Sequence, residues 1–230
     1  MDSYAIDHPT LIPTLPLLVP CRPLHPVIHF EEKNWEKIAS AFADATPCEF
    51  SQAWRKKLHS HFSPAVVRAA WTPESFWVYA ELTDVDIYNE ARVLNEDTYQ
   101  LGDTLEVFVR LPDRREYYEM HVSPDNQHLH LFYPRGKFPV PKEDCEVNDP
   151  DLFRSRVLLE PENERWRVLA EFPIDKLRGD VISPGDEWKF SFGRYDYTRG
   201  EAHPVLSSTS PHHRPNFHDV KEWRTMRFEK

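Results

Sequence analysis

Apolar and polar residues alternate along residues 66–110, which read VVRAAWTPESFWVYAELTDVDIYNEARVLNEDTYQLGDTLEVFVR. Two alternating segments meet at a turn in residues 72–75, and a third begins after Gly102 and Asp103. The apolar positions that share one face of each segment are Val67, Ala69 and Trp71; Phe76, Val78, Ala80 and Leu82; and Leu105, Val107, Val109 and Leu111. A period of two residues over several strands predicts an antiparallel sheet with one buried face.

The same alternation predicts six further strands along the chain, at residues 117–122, 128–133, 153–159, 166–172, 187–194 and 224–228. Helices are expected to be few, since only Asn34 suits the cap of a short helix and residues 173–177 suit one helical turn. Prolines punctuate residues 1–26 and predict an extended arm. The pattern therefore predicts an all-β fold, with one β-sandwich domain over residues 27–230, one or two short helices and long loops.

Size and charge narrow the class of protein. A chain of 230 residues is long enough for one large β domain, and its net charge is -10 with a pI near 5.6. This acidic balance argues against nucleic acid and anionic membranes as partners and favours a neutral or cationic ligand. The three cysteines are far apart in sequence, so a zinc knuckle is not expected.

No apolar run is long enough to span a membrane, and prolines break up residues 1–20, which also lack a basic start. These residues make a poor signal peptide. The sequence thus predicts a cytoplasmic protein or a secreted or periplasmic one whose leader has been trimmed, and it leaves the oligomeric state open.

An ordered set of features gives the chain a family resemblance. The features are Trp35 in an early helix, Trp71 at a strand end, FWVY at 76–79, DVDI at 84–87, GDTLEVF at 102–108, YYEMHVSP at 117–124, SSTSP at 207–211 and NFH at 216–218. In this order they resemble the carbohydrate-binding module family 9-like group, within the wider DOMON-like β-sandwiches. The resemblance implies two antiparallel sheets that bind saccharide without catalytic machinery and without a required cofactor.

The resemblance also implies where a sugar would bind. Sugar-binding members of the group hold a ring between two tryptophans and bind its hydroxyls through carboxylate, guanidinium and amide groups. Tyr99, or its neighbour Gln100, and Phe217 stand in place of the tryptophans. The full implied ligand-binding set is Tyr99, Glu106, His121, Ser123, Asn216, Phe217 and His218. Within this set only the carboxylate, Glu106, is kept, so a weaker or different ligand is implied.

Each of these residues also has an ordinary structural interpretation. Glu106 suits a solvent-facing strand position as well as a hydroxyl acceptor, and Phe217 suits a plug of the sandwich end as well as a stacking platform. Two other functions remain open. One is a β-sandwich that docks another protein, and the other is a glycan hydrolase or lyase that uses Glu106 and Glu119 as an acid pair.

Three aspartates raise the question of calcium. Asp84, Asp86 and Asp103 lie at predicted strand ends, and calcium takes several oxygen ligands. Structural calcium is known in the group that the chain resembles. Strand-end aspartates also form Asx turns and cap backbone N–H groups. A structural calcium held by these three residues is therefore a prediction with an ordinary alternative.

Overall fold

The computed structural model of the protein describes residues 16–230, which form twelve β-strands and two short α-helices. The strands are β1 (Leu18–Pro23), β2 (Pro47–Glu49), β3 (Ala65–Thr72), β4 (Ser75–Thr83), β5 (Thr104–Arg110), β6 (Tyr117–Val122), β7 (His128–Tyr133), β8 (Arg154–Glu160), β9 (Arg165–Pro173), β10 (Glu187–Asp196), β11 (Val205–Ser208) and β12 (Arg224–Phe228). The helices are α1 (Trp35–Ala41) and α2 (Thr98–Leu101). The nine predicted strands are present, while β1, β2 and β11 were not predicted.

The strands form one connected sheet with the order β7-β6-β5-β10-β12-β1-β3-β4-β9-β8, while β11 pairs with β10 and β2 with β3. Strand β1 joins two halves of this sheet. Residues 18–21 pair in parallel with β12, and Arg22 and Pro23 pair in parallel with β3. The predicted all-β class with short helices is confirmed, but the strands form one curled mixed sheet instead of two purely antiparallel ones.

Prolines explain why β1 was not predicted. Pro20 and Pro23 lie within it and have no N–H to donate, so the segment reads as irregular chain. Val19 and Cys21 are nevertheless buried in the core. Residues 1–15 of the predicted arm lie outside the described residues, and the later part of the arm contributes β1 to the sheet.

Both halves of the sheet pack against one shared hydrophobic core. The apolar faces predicted for β3, β4 and β5 all point into it, together with large side chains of β9 and β10 such as Trp166 and Phe190. The outer faces of both halves are also covered by other parts of the chain. The alternation of apolar and polar residues predicts only one buried face. On β3, β4 and β9 the cover is α1, where Ile38 and Phe42 pack against Tyr79.

The helices are short and locally specified. The Asn34 side chain accepts hydrogen bonds from the backbone N–H groups of Glu36 and Lys37, at 3.0 and 3.1 Å, and so caps α1 as predicted. Residues 174–178 form hydrogen-bonded turns, and the N–H of Leu177 donates to the carbonyl of Pro173 at 3.3 Å, which closes the single helical turn predicted there. The longest helix in the described part of the chain, α1, has seven residues, and no helix there is long and apolar enough to cross a bilayer.

The outer face of β5, β6, β7 and β10 carries a third apolar cluster. Its buried members include Phe108, Tyr117, Tyr133, Phe217 and Trp223. Loops that follow β7 and β11 contribute side chains to this cluster and cover the strands. The polar face of β6 is therefore enclosed under loops, and this enclosed face holds the candidate site.

Two histidines on β7, the buried His130 and the partly buried His128, predict a loss of stability in mild acid. The rings of His128 and His130 lie 4.3 and 4.8 Å from the ring of Phe153, measured between centroids. Burial, and repulsion between their charged forms, lower the pKa of His128 to about 3, and burial lowers the pKa of His130 to about 4. Both are neutral when folded at pH values where the unfolded chain takes up protons.

The contribution of the two histidines to the free energy of unfolding is therefore expected to be complete above about pH 6.5, the ordinary pKa of histidine. It should fall as the pH decreases toward 4. The slope should be about 1.4 kcal/mol of unfolding free energy per pH unit for each histidine. Urea denaturation across this range measures it. Replacing both residues by glutamine should flatten the slope, whereas replacing the exposed His203 should not. An unchanged slope in the double variant would show that other groups cause the effect.

Candidate functional site

Glu106 lies in the middle of the outer face of β5. It is paired with His121 on β6 and with Gly193 on β10, so these three positions form one row across the sheet. Gly193 is required there, because an added Cβ would lie 2.6 Å from Oε2 of Glu106 and 2.8 Å from the ring of Phe217. The glycine gives the glutamate and the aromatic ring room to lie against the strand.

His121 connects the two carboxylates of this face. Its Nε2 lies 2.8 Å from Oε1 of Glu119 and 3.3 Å from Oε1 of Glu106. Its Nδ1 lies 2.9 Å from the hydroxyl of Thr98, which belongs to α2. The ring is completely buried. His121 therefore lies beneath the carboxylates and positions them.

The two carboxylates have opposite tendencies to ionise. Burial raises the pKa of Glu106 well above its ordinary value, and the charge of Glu119 raises it further. Burial acts in the same direction on Glu119, but His218, His121 and the Tyr133 hydroxyl together lower the pKa of Glu119 below its ordinary value. The Tyr133 hydroxyl donates to Oε2 of Glu119 at 2.9 Å. Glu119 is therefore the more acidic of the two, and Glu106 keeps its proton to a higher pH than Glu119 does.

A cavity of about 190 Å³ lies over these carboxylates. Its lining residues are Tyr99, Glu106, Glu119, Leu131, Tyr133, Phe138, Tyr195, Pro215, Asn216, Phe217 and His218. The rings of Phe138 and His218 stack in parallel at the wall, with centroids 3.6 Å apart. Phe138 is half exposed and Asn216 is exposed, so both lie at the mouth. The cavity thus has a charged floor, aromatic walls and a polar rim.

The structure brings most of the predicted ligand-binding residues together. Tyr99, Glu106, Asn216, Phe217 and His218 all line the cavity. His121 lies under the floor, as described above. Ser123 lies outside the cavity, where its hydroxyl accepts from the backbone N–H of Gln127 at 3.0 Å and closes the turn between β6 and β7.

Phe217 is a wall of the cavity and has little free surface. It is only 4% exposed and packs against Trp54, Phe108 and Tyr195. Its carbonyl accepts from Nε1 of Trp223 at 2.7 Å, which fixes the loop. This agrees with the plug interpretation more closely than with an exposed stacking platform. Tyr99 is partly exposed and retains an accessible ring.

Three aromatic residues of the cavity were absent from the predicted set. Tyr133 and Tyr195 lie on β7 and β10 with the parity that places them on the face of Glu106, so extending the period-two argument to those strands would have found them. Phe138 lies in the proline-containing loop after β7. No periodic pattern exists in that loop, so no sequence signal places Phe138 at the cavity.

No protein-family model matches the chain, and no curated protein matches it. Solved structures do match. A candidate carbohydrate-binding protein from Bacteroides uniformis superposes with a TM-score of 0.73 at 15% identity, over 92% of this chain and 99% of that chain. A family 9 carbohydrate-binding module from Caldicellulosiruptor kristjanssonii in complex with cellotriose gives 0.63 at 14% identity, over 92% and 93%. The same organism's family 9 module in complex with glucose gives 0.61 at 14% identity, over 92% and 95%.

The chain has the fold of family 9 carbohydrate-binding modules. The resemblance inferred from the ordered sequence features is thereby confirmed for the fold. The wider DOMON-like assignment stays a prediction. Superpositions at sequence identities near 15% establish the fold alone. The ligand has to be argued from the residues of this chain.

A second and larger cavity of about 460 Å³ opens beside β2, β3 and β4. Its walls are mostly apolar and include Phe50, Leu58 and Phe62. Three charged residues line it: Glu81 and Arg165 pair with each other at 3.7 Å, and Glu49 is exposed to solvent. We therefore place the candidate site at the smaller cavity, where buried polar groups converge without such compensation.

Three aspartates lie together where β4, β5 and β10 meet. Asp84, Asp103 and Asp196 have carboxylate oxygens within 4.8 Å of one another. Of the predicted calcium ligands, Asp84 and Asp103 belong to this group. Asp86 does not, since it pairs with the exposed Arg199. Asp196 takes the third place, which sequence separation alone did not reveal.

The aspartate cluster already contains a cation. The buried Arg194 guanidinium lies 3.4 Å from Asp84 and 3.1 Å from Asp196. Each oxygen of Asp103 accepts a backbone N–H at 2.7 Å. Burial, together with the charge of Asp84, raises the pKa of Asp103 to about 8. The residues do not fit a calcium ion, which requires about six to eight free oxygen ligands.

We therefore expect calcium to leave the stability of the protein unchanged. Melting temperatures measured with a chelator and with added calcium chloride should agree within about 1 °C, because an ion that does not bind the folded state cannot stabilise it. The measurement requires only a thermal scan by circular dichroism. A rise of several degrees with calcium would show that an ion displaces or joins Arg194 in the cluster.

Proposed function

We propose that the protein binds a saccharide, without transforming it, in the cavity over Glu106 and Glu119. The observation that carries this proposal is the convergence of two buried carboxylates and several aromatic rings on one small cavity. The fold adds support, because two of the solved structures that share it hold cellotriose and glucose.

The chemistry of the cavity suits a sugar ring. Carboxylate oxygens accept hydrogen bonds from hydroxyl groups, and the exposed amide of Asn216 can both donate and accept. Aromatic rings pack against the apolar C–H face of a sugar. Tyr99 and Tyr195 offer such rings at the wall, with centroids 5.7 Å apart. The cavity can therefore address both the polar and the apolar parts of one saccharide.

The size of the cavity limits what can enter. About 190 Å³ is below the roughly 300–1,000 Å³ of typical small-molecule sites. It has room for one sugar ring. A longer oligosaccharide would place one residue inside and extend past Phe138 and Asn216 at the mouth. We therefore expect little difference in affinity between a monosaccharide and the corresponding short oligosaccharide.

The two alternative functions are less well supported. Among the described residues, Phe138 is the only aromatic side chain with high exposure, and it adjoins convergent polar groups instead of an apolar patch. A hydrolase would need Glu106 and Glu119 to flank a scissile bond. They stand side by side on one floor and share His121, so the arrangement suits binding.

Calorimetric titration with a panel of mono- and oligosaccharides tests the proposal. Binding by the unmodified protein is expected for at least one sugar, and Tyr99→Ala should weaken it about tenfold by removing an aromatic contact. The control is Tyr88→Ala, which removes a partly exposed tyrosine that lies outside the cavity and beneath Arg199. Absence of heat with every sugar, or equal loss in both variants, would contradict the proposal.

A further inference from the structure

The candidate cavity carries an imbalance of charge. Among its lining residues in the described part of the chain are two glutamates and no lysine or arginine. The only histidine among these lining residues is His218, whose Nδ1 lies 3.7 Å from Oε2 of Glu119. Burial lowers the pKa of His218, which favours the neutral ring at neutral pH. A ligand that brings positive charge would correct the imbalance.

One atom of the floor lacks a partner. Oε2 of Glu106 is buried and has no hydrogen-bond partner among the described residues, although Oε1 contacts His121. A buried carboxyl oxygen without a partner is costly, since it has given up its contacts with water. Glu119, by comparison, has both oxygens occupied, by His121 and by the Tyr133 hydroxyl. The free acceptor is therefore specific to Glu106.

Aromatic rings surround this acceptor. Tyr195 packs edge-on against both Tyr99 and Phe217, with centroids 5.7 and 6.1 Å apart, and the Phe217 ring adjoins Glu106 at Gly193. The faces of aromatic rings attract cations, most strongly where water is excluded. Carboxylates beneath aromatic walls form the combination that recognises an ammonium group, whereas a neutral sugar needs only hydroxyl partners.

We infer that this cavity prefers an amino sugar, a hexose whose ring carries a protonated amine, and that the ammonium group binds Glu106. The inference rests on the proposed saccharide function and names its ligand class. The ammonium group donates to Oε2 of Glu106, and the sugar ring packs against the aromatic walls. The exposed amide of Asn216 remains available for hydroxyl groups.

Three sugars that differ at one position test the inference by calorimetry. They are D-glucosamine, D-glucose and N-acetyl-D-glucosamine, titrated near neutral pH, where an amine of this kind is still mostly protonated and the Glu106 carboxyl is closer to ionisation than it is in acid. D-glucosamine is expected to bind roughly tenfold to a hundredfold more tightly than the other two, as a charge-assisted hydrogen bond predicts. N-acetyl-D-glucosamine keeps the nitrogen but carries no positive charge. It therefore separates the effect of the charge on affinity from the effect of a nitrogen substituent.

The outcomes distinguish the inference from the function on which it rests. Binding of D-glucose as tightly as D-glucosamine would overturn the inference and leave the saccharide function standing. Absence of binding by all three sugars would contradict the function itself. Equal competition by ammonium chloride alone would also overturn the inference, because it would show a cation site without sugar recognition.

A conservative variant locates the ammonium contact. Glu106→Gln replaces the ionisable carboxyl with a neutral amide of the same shape, so both affinities should fall and the preference for D-glucosamine over D-glucose should shrink to about onefold to threefold. Glu119→Gln is the comparison, and it should retain most of the preference. A preference that survives Glu106→Gln would overturn the assignment to Glu106. The ratio measured for the unmodified protein decides the ligand class even if a variant fails to fold.

Discussion

Saccharide binding is expected to weaken strongly when Glu106 is replaced by alanine, while the protein remains folded. The side chain supplies the unpaired acceptor of the cavity floor, and hydrogen bonds to a carboxylate contribute about 1.5–3 kcal/mol each. Losing this acceptor should weaken binding about tenfold to a hundredfold. Calorimetry with the best ligand of the panel measures the loss. Unchanged affinity in this variant would show that the site has been placed wrongly.

The fold of this variant is expected to survive for a specific reason. Oε2 of Glu106 has no hydrogen-bond partner in the described residues, so alanine removes a buried carboxyl whose burial is poorly compensated. The melting temperature should therefore not fall. Glu171→Ala provides the matched control, because Glu171 is also a buried strand carboxylate, bonded to Ser75 and Arg154 away from the cavity. That control should lose stability and keep its affinity for sugar.

Replacing Arg194 with methionine is expected to cost about 3–5 kcal/mol of unfolding free energy, a large part of the stability of a domain. The guanidinium is completely buried and is the cation beside Asp84 and Asp196. It also donates to the backbone carbonyls of Thr83 and Ser63, at 2.6 and 3.1 Å. Methionine preserves much of the volume but leaves these groups buried without a partner.

Urea denaturation measures this effect, and two comparisons identify its cause. Arg199→Met removes an exposed arginine that pairs with Asp86, and it should cost less than about 1 kcal/mol. Combining Arg194→Met with Asp196→Asn should restore part of the lost stability, because one uncompensated carboxylate is removed with the cation. A loss of under 1 kcal/mol in Arg194→Met alone would mean that the cluster is stabilised in another way.

Much of the site floor follows from the sequence because a strand has a period of two. Once β5 and β6 are neighbours, the parity of Glu106, Glu119 and His121 places all three on one face. The nine predicted strands were recognisable for the same reason, because each shows the period of two in its sequence. Periodicity carries no information about loops, so neither Phe138 at the mouth nor the covering of this face could be predicted.

Other parts of the site depended on contacts that local patterns do not encode. Asp196 joins Asp84 because the end of β10 lies beside the end of β4, which only the folded chain determines. Ser123 was placed in the site by resemblance, yet its hydroxyl closes a turn. Phe217 stands where a tryptophan was implied, and the smaller ring is packed into the third apolar cluster. Positional transfer thus named residues that mostly line one cavity, but it could not specify each side chain's contacts.

The parallel pairing of β1 with β12 has a consequence for the order of folding. Residues 18–21 find their partners at residues 225–228, about two hundred positions further along the chain. Closing such a long segment is entropically unfavourable until other contacts have shortened it. The hairpins β3–β4, β5–β6 and β8–β9 involve near neighbours and can form early. On a ribosome, the seam between the two halves cannot form until β12 has left the exit tunnel, so until then the nascent chain carries an open sheet edge.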